Sequence, residues 1–115
     1  MSDTCDLLCL DLPKAEALRA ALPGHEVLEA QAATAKALTD PTRLAIALSL
    51  RDGGVCCVCD LAWVVGRDEK LVSHHLRLLK AAGAASSQRQ GRMVLYELTP
   101  SGRALVDVVA GAVAA

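Results

Sequence analysis

Five cysteines are the residues of this 115-residue chain most able to do chemistry: Cys5, Cys9, Cys56, Cys57 and Cys59. An odd number cannot be used up in internal disulfides, and in a reducing compartment such a set more often binds metal or does redox chemistry. Cys57-Val58-Cys59 holds two thiols close together, and Cys5 and Cys9 have the i, i+4 spacing that converges on one side of a helical turn. Four thiolates around one ion suit Cd(II), Pb(II) or Zn(II), with tetrahedral geometry usual for zinc. A single buried cysteine is ordinarily just a small hydrophobe. Five in two clusters point to a metal instead, with Cys5, Cys9, Cys57 and Cys59 as ligands and Cys56 as a further candidate. Cys56 and Cys59 also spell C-x-x-C, a redox spacing, but the βαβ context of a thioredoxin-like site is missing.

The second chemical feature is charge. The net charge is −1, yet residues 1–40 carry three basic against seven acidic side chains, while residues 67–92 carry six basic against two acidic. One segment is built to meet a polyanion and the rest is not. Lys70, Ser73, His74 and Arg77 recur at helical spacing, which would let one helix face reach base edges and phosphates in a major groove. Arg89 and Arg92 flank a polar turn that would lie along the neighbouring backbone, adding salt-dependent affinity without reading sequence. A solvated helix face is the common fate of such charges, and it is the elements around them that decide otherwise.

Those elements follow from the apolar spacing. Hydrophobic residues make up 53% and aromatics only 2%, so the core is Leu, Val, Ile and Ala, which suits packed helices in one domain. Residues 1–13 read as a metal-binding leader closed by Pro13, and residues 14–115 as the folded domain. A short helix from Lys14 to Leu22 stops at Pro23-Gly24, and another runs from about Glu26 to Leu38. Asp40-Pro41 caps and starts a third, ended by Asp52-Gly53-Gly54. Two helices follow in close succession, about Cys57 to Val65 and Asp68 to Ala82, broken at Gly66. The second should point Leu71, Leu76 and Leu79 inward. Ala84–Gln88 and Met93–Leu98 read as strands joined by Arg89-Gln90-Gly91-Arg92. A last helix carries the stripe Leu105, Val108, Val109, Ala112 and Val113, which has an outlet in a partner subunit. This order is that of a mainly α protein with a small β-hairpin: a winged helix-turn-helix, expected as a homodimer on a two-fold DNA site.

At this point the residues resemble a known family. Asp40-Pro41-Thr42-Arg43-Leu44, Cys57-Val58-Cys59-Asp60-Leu61-Ala62, Val72-Ser73-His74-His75-Leu76-Arg77-Leu78-Leu79 and Gly91-Arg92 through Tyr96 are similar to the ArsR/SmtB metalloregulators, over roughly residues 26–113. The paired N-terminal cysteines make the chain most similar to the CadC type. The resemblance implies a homodimeric repressor that binds double-stranded operator DNA without metal and releases it on binding Cd(II) or Pb(II), or Zn(II), as inducer. It implies that Cys57 and Cys59 are the helix ligands and that Cys5 and Cys9 come from the other protomer. Three positions depart from the pattern. Cys56 is an extra thiol, Ala62 stands where arsenite sensors tend to have a third cysteine, and the last helix has Asp107 but no histidine for a second zinc site. An arsenite or antimonite sensor and a thiol redox switch are the alternatives. No paired carboxylates, phosphate loop or nucleophile–base set suggests an enzyme. No apolar run is long enough for a membrane span, and the acidic opening Ser2-Asp3-Thr4-Cys5-Asp6 is unlike a secretory leader, so a cytoplasmic protein is expected.

Overall fold

The computed structural model describes residues 10–112. In chain order the elements are α1 (Leu12–Ala21), α2 (His25–Lys36), α3 (Pro41–Gly53), β1 (Cys56–Cys57), α4 (Val58–Val65), α5 (Glu69–Ala81), β2 (Ala85–Gln90), β3 (Met93–Leu98) and α6 (Pro100–Ala112). Helices α3, α4, α5 and α6 pack with one antiparallel sheet of order β1-β3-β2. Ile46 and Leu50 of α3, Leu61 of α4, Val72, Leu76 and Leu79 of α5, and Val106 of α6 are fully buried.

Local chemistry sets the boundaries. Asp40 caps α3 by accepting from the Thr42 and Arg43 amides at 2.9 and 3.3 Å, and Pro41 fills the first helical position. Gly66, at φ +68°, closes α4 in a left-handed conformation that favours glycine, and Asp68 accepts from the Leu71 amide at 2.8 Å to start α5. The two helices are therefore joined by a three-residue turn, which brings them together as a helix-turn-helix. At the far end, the Thr99 hydroxyl donates to the Gly83 carbonyl at 2.7 Å and accepts from the Gly102 amide at 3.0 Å, stitching the start of α6 to the end of α5.

Several expectations from sequence shift in position. The first helix begins at Leu12 rather than Lys14, because Asp11 caps it and Pro13 sits in its first turn. Cys57 does not open a helix; with Cys56 it forms the short strand β1, paired with Leu95 and Tyr96 of β3, and so turns a two-stranded hairpin into a three-stranded sheet. The hairpin closes on Gly91-Arg92 alone, with Gln90 opposite Met93, so Arg89 lies in the strand rather than the turn. The inward face of α5 is Val72, His75, Leu76 and Leu79, while Leu71 is 38% exposed. The face recurs at i, i+3, i+4 and i+7, and Leu71 falls to its edge. On α6 Val106 is the residue buried in the core, whereas Val108 is 68% exposed. Neither α1 nor α2 contains a buried residue, and Leu12, Leu18, Leu22 and Val27 stay exposed.

Candidate metal centre and nucleic-acid interface

The sheet and α4 together place two of the thiols. Cys57 ends β1 and is the residue capping α4, its backbone still extended at φ −85° and ψ 163°; Cys59 lies in the first turn. Their sulfurs are 3.2 Å apart. Asp60 joins them: the two Sγ atoms and a carboxylate oxygen all lie within 4.8 Å of one another. Cys57 is half-buried, and Cys59 and Asp60 are exposed. Free amides and the positive dipole end at a helix start favour thiolates there. Opposing this, the shared hydrogen bond with Cys57, then burial, then the neighbouring charges hold the Cys59 thiol above its ordinary range. Two sulfurs with a carboxylate make a donor set suited to a soft or borderline divalent ion.

Cys56 is placed differently. A Cβ added to Gly53 would come within 2.9 Å of its Sγ, and the side chain packs against the core. Burial, then the negative charge at Asp60 and Cys57, pushes its thiol up. Cys5 and Cys9 lie outside the described residues. Asp60 is the member of the cluster that reasoning from thiols alone passed over; its signal was its place directly after Cys59.

Helix α5 divides its surface cleanly. Lys70, His74 and Arg77 are exposed and Ser73 is half-buried, opposite the core-facing Val72, His75, Leu76 and Leu79. Lys70, Ser73 and Arg77 line an open cleft of about 390 Å³ together with Glu69 and Val58. Val58 is the residue between the two clustered cysteines, so the segment that carries the thiols reaches the cleft of the basic face through Val58. Arg89 and Arg92 are exposed at the hairpin end, with Arg89 Nε donating to the Gly91 carbonyl at 3.4 Å. The Lys80 ammonium donates to the Ser87 hydroxyl at 2.8 Å, tying the end of α5 to β2. No helix among the described residues is long and apolar enough to cross a membrane.

A helix-turn-helix backed by a basic antiparallel hairpin, with its second helix presenting cations outward, defines a winged helix-turn-helix protein. Residues 40–87 match the family described as bacterial regulatory protein, arsR family, and that segment is an ArsR-family helix-turn-helix domain. It is 43% identical over 76 residues to the HTH-type transcriptional repressor SmtB of Mycobacterium tuberculosis, covering 66% of this chain and 56% of that protein. It is 46% identical over 63 residues to a cadmium resistance transcriptional regulatory protein CadC homolog of Staphylococcus aureus, covering 55% and 52%. The chain thus spans about half the length of the curated relatives it matches. Among solved structures it is similar to the homodimeric winged helix-turn-helix DNA-binding domain of a possible ArsR-family regulator from Mycobacterium bovis. There the TM-score is 0.71 at 25% identity, over 81% of this chain and 88% of that one. The two curated relatives are a transcriptional repressor and a transcriptional regulatory protein.

Proposed function

We propose that this protein is a metal-responsive transcriptional repressor working in the cytoplasm, a homodimer that holds double-stranded operator DNA and releases it when Cd(II) or Pb(II), or Zn(II), binds. Lys70, Ser73, His74 and Arg77 meet the major groove, and Arg89 and Arg92 meet the flanking backbone. Cys57 and Cys59, with Cys5 and Cys9, hold the metal. The observation that carries this reading is the contact of the two segments: Val58, the residue between the two thiols, lines the cleft beside Lys70, Ser73 and Arg77. Bound metal supplies a rigid cross-link among thiolates, and the consequence is carried by the chain itself. A change in the first turn of α4 is felt at the outer face of α5, and a dimer geometry that no longer fits both half-sites becomes favoured.

Two further features support it. The exposed apolar side chains of α1, α2 and Val108 have no cover within the described chain, which suits burial against a second copy. The cadmium or lead reading is favoured over arsenite or antimonite because the third thiol that an arsenite site would draw on, Cys56, packs over Gly53 and against the core.

The test is fluorescence anisotropy of reduced protein on a duplex that it selects from a random-sequence pool, titrated with Cd(II) while thiolate-to-metal absorbance is followed. Loss of DNA binding in step with the absorbance supports the sensor. Metal uptake with unchanged DNA affinity defeats the inducer role, and no uptake at all points to the redox switch.

A further inference from the structure

His75 is buried, 8% exposed, on the inward face of α5 beside Val72, Leu76 and Leu79. A buried imidazole needs a hydrogen-bond partner, and this one has Arg43. Arg43 Nη1 lies 3.1 Å from His75 Nδ1, while Arg43 Nε donates to the Ala37 carbonyl at 2.6 Å. A guanidinium has only donors, so Nδ1 must accept, and the imidazole is neutral with its proton on Nε2. The charged and titratable groups around it are Asp40 and Arg43 at the start of α3, His74 on α5, and Lys36 of α2, which lines a groove shared with Arg43. Burial most strongly, then the Arg43 and His74 charges, outweigh the opposing pull of Asp40 and keep His75 below the usual imidazole range.

Ala37 closes α2, a helix with no buried residue of its own. Polar ties hold that helix to α5: the Thr34 hydroxyl donates to the Ala82 carbonyl at 2.6 Å, and Arg43 reaches both the end of α2 and the middle of α5. A planar fork spanning two acceptors fixes direction as well as distance, which a lysine cannot do.

We propose that Arg43 is a positioning residue for DNA recognition: by bridging the Ala37 carbonyl and neutral His75 it fixes the angle between α2 and α5, and protonation of His75 breaks the bridge and weakens DNA binding. The inference rests on α5 being the DNA-reading helix.

The experiment uses full-length, metal-free protein and a duplex enriched by the wild type from a random-sequence pool, with affinities read between about pH 7.5 and about pH 5.5. His75→Asn keeps an acceptor near the Nδ1 position and cannot titrate; Arg43→Lys keeps the charge and loses the fork. Wild-type affinity should be lost progressively toward acid, while His75→Asn stays flat. Arg43→Lys should bind about tenfold more weakly at neutral pH, the worth of one charge-assisted hydrogen bond, with the gap closing toward acid where the wild-type bridge is itself broken. In the wild type, ¹⁵N–¹H correlation should show the His75 proton on Nε2, a readout independent of DNA and of whether any variant folds. An acid loss that persists in His75→Asn, wild-type affinity in folded Arg43→Lys, or a proton on Nδ1 at neutral pH each overturns the proposal. Absence of any enriched duplex overturns the DNA-binding reading itself, and the positioning role with it.

Discussion

Cys57 and Cys59 hold their sulfurs 3.2 Å apart at the first turn of α4, although Cys57 ends strand β1 and Cys59 belongs to the helix, with Val58 alone between them. The break in conformation at Cys57 is what brings the two thiols together, and it sends Cys56, on the opposite face of β1, toward Gly53.

The first prediction concerns that split. Cys57→Ser and Cys59→Ser should each weaken Cd(II) binding by about 100-fold or more, roughly 2.8 kcal/mol, read by thiolate-to-metal absorbance against a competing chelator. Cys56→Ala should leave Cd(II) affinity within about threefold, and cost only about 1 kcal/mol of stability for the packing it loses against the core. Equal losses from all three would mean that Cys56 turns outward to join the site.

Second, the two basic surfaces should differ in what they contribute to DNA binding. Arg92, at the hairpin turn, should act on phosphates: Arg92→Ala weakens binding to all sequences alike and lowers the salt-dependence slope by about 1. Ser73 and His74 lie on the outward face of α5, so Ser73→Ala and His74→Ala should alter which duplexes are enriched from a random pool, costing about 1–3 kcal/mol on the preferred one. An unchanged enrichment profile in both would remove α5 from sequence reading.

Most of the architecture was legible because its signals are local. Asp40-Pro41, Gly66 and Asp68 are caps and stops whose action is complete within one turn, and the α5 face shows in a spacing of three and four. What was not legible depended on distant partners. Cys56 and Cys57 are extended only because Tyr96 and Leu95 pair with them some forty residues later, and two residues carry no alternation to reveal a strand. Likewise His75 was grouped with its neighbour His74, and only the packed structure separates a buried imidazole bound to Arg43 from an exposed one. The cysteine pair was legible, but Asp60 needed coordinates, since a single acidic residue in a helix's first turn is commonplace.

Third, stability should fall in two steps toward acid. His75 has a folded pKa below its unfolded one, so its contribution is complete above the unfolded value near about 6.5 and is lost as pH falls through that value toward the folded one. Asp40 is also depressed: burial alone would raise it, but the Arg43 and Thr42 amides with the nearby His75 and Arg43 charges outweigh that. Its contribution is likewise lost on acidification, but in the lower window beneath about pH 4. Melting temperature against pH should show both steps, with His75→Asn removing the upper one and Asp40→Asn the lower. A melting temperature flat from about pH 7 to about pH 4.5 would contradict the buried neutral imidazole.

Finally, two glycines in α6 should respond to alanine with opposite signs. Gly102 faces the fully buried Ala84, and a Cβ placed there would collide with the Ala84 carbonyl, which already accepts from the Thr99 amide at 3.0 Å. That backbone cannot swing aside like a side-chain end, because Thr99 also holds Gly83 through its hydroxyl. Gly102→Ala must therefore push α6 away from the end of α5, at a cost of about 2–3 kcal/mol. Gly111 is exposed with nothing within 4 Å of an added Cβ, so Gly111→Ala meets no obstacle. There the change removes only the glycine penalty of a helix, a gain of up to about 1 kcal/mol that diminishes toward a helix end. In a domain of this size each kcal/mol moves the melting temperature by about 4–8 °C, so thermal denaturation should separate the two variants widely. If Gly102→Ala melts like the wild type, the close approach of α6 to Ala84 is not what holds that helix in place.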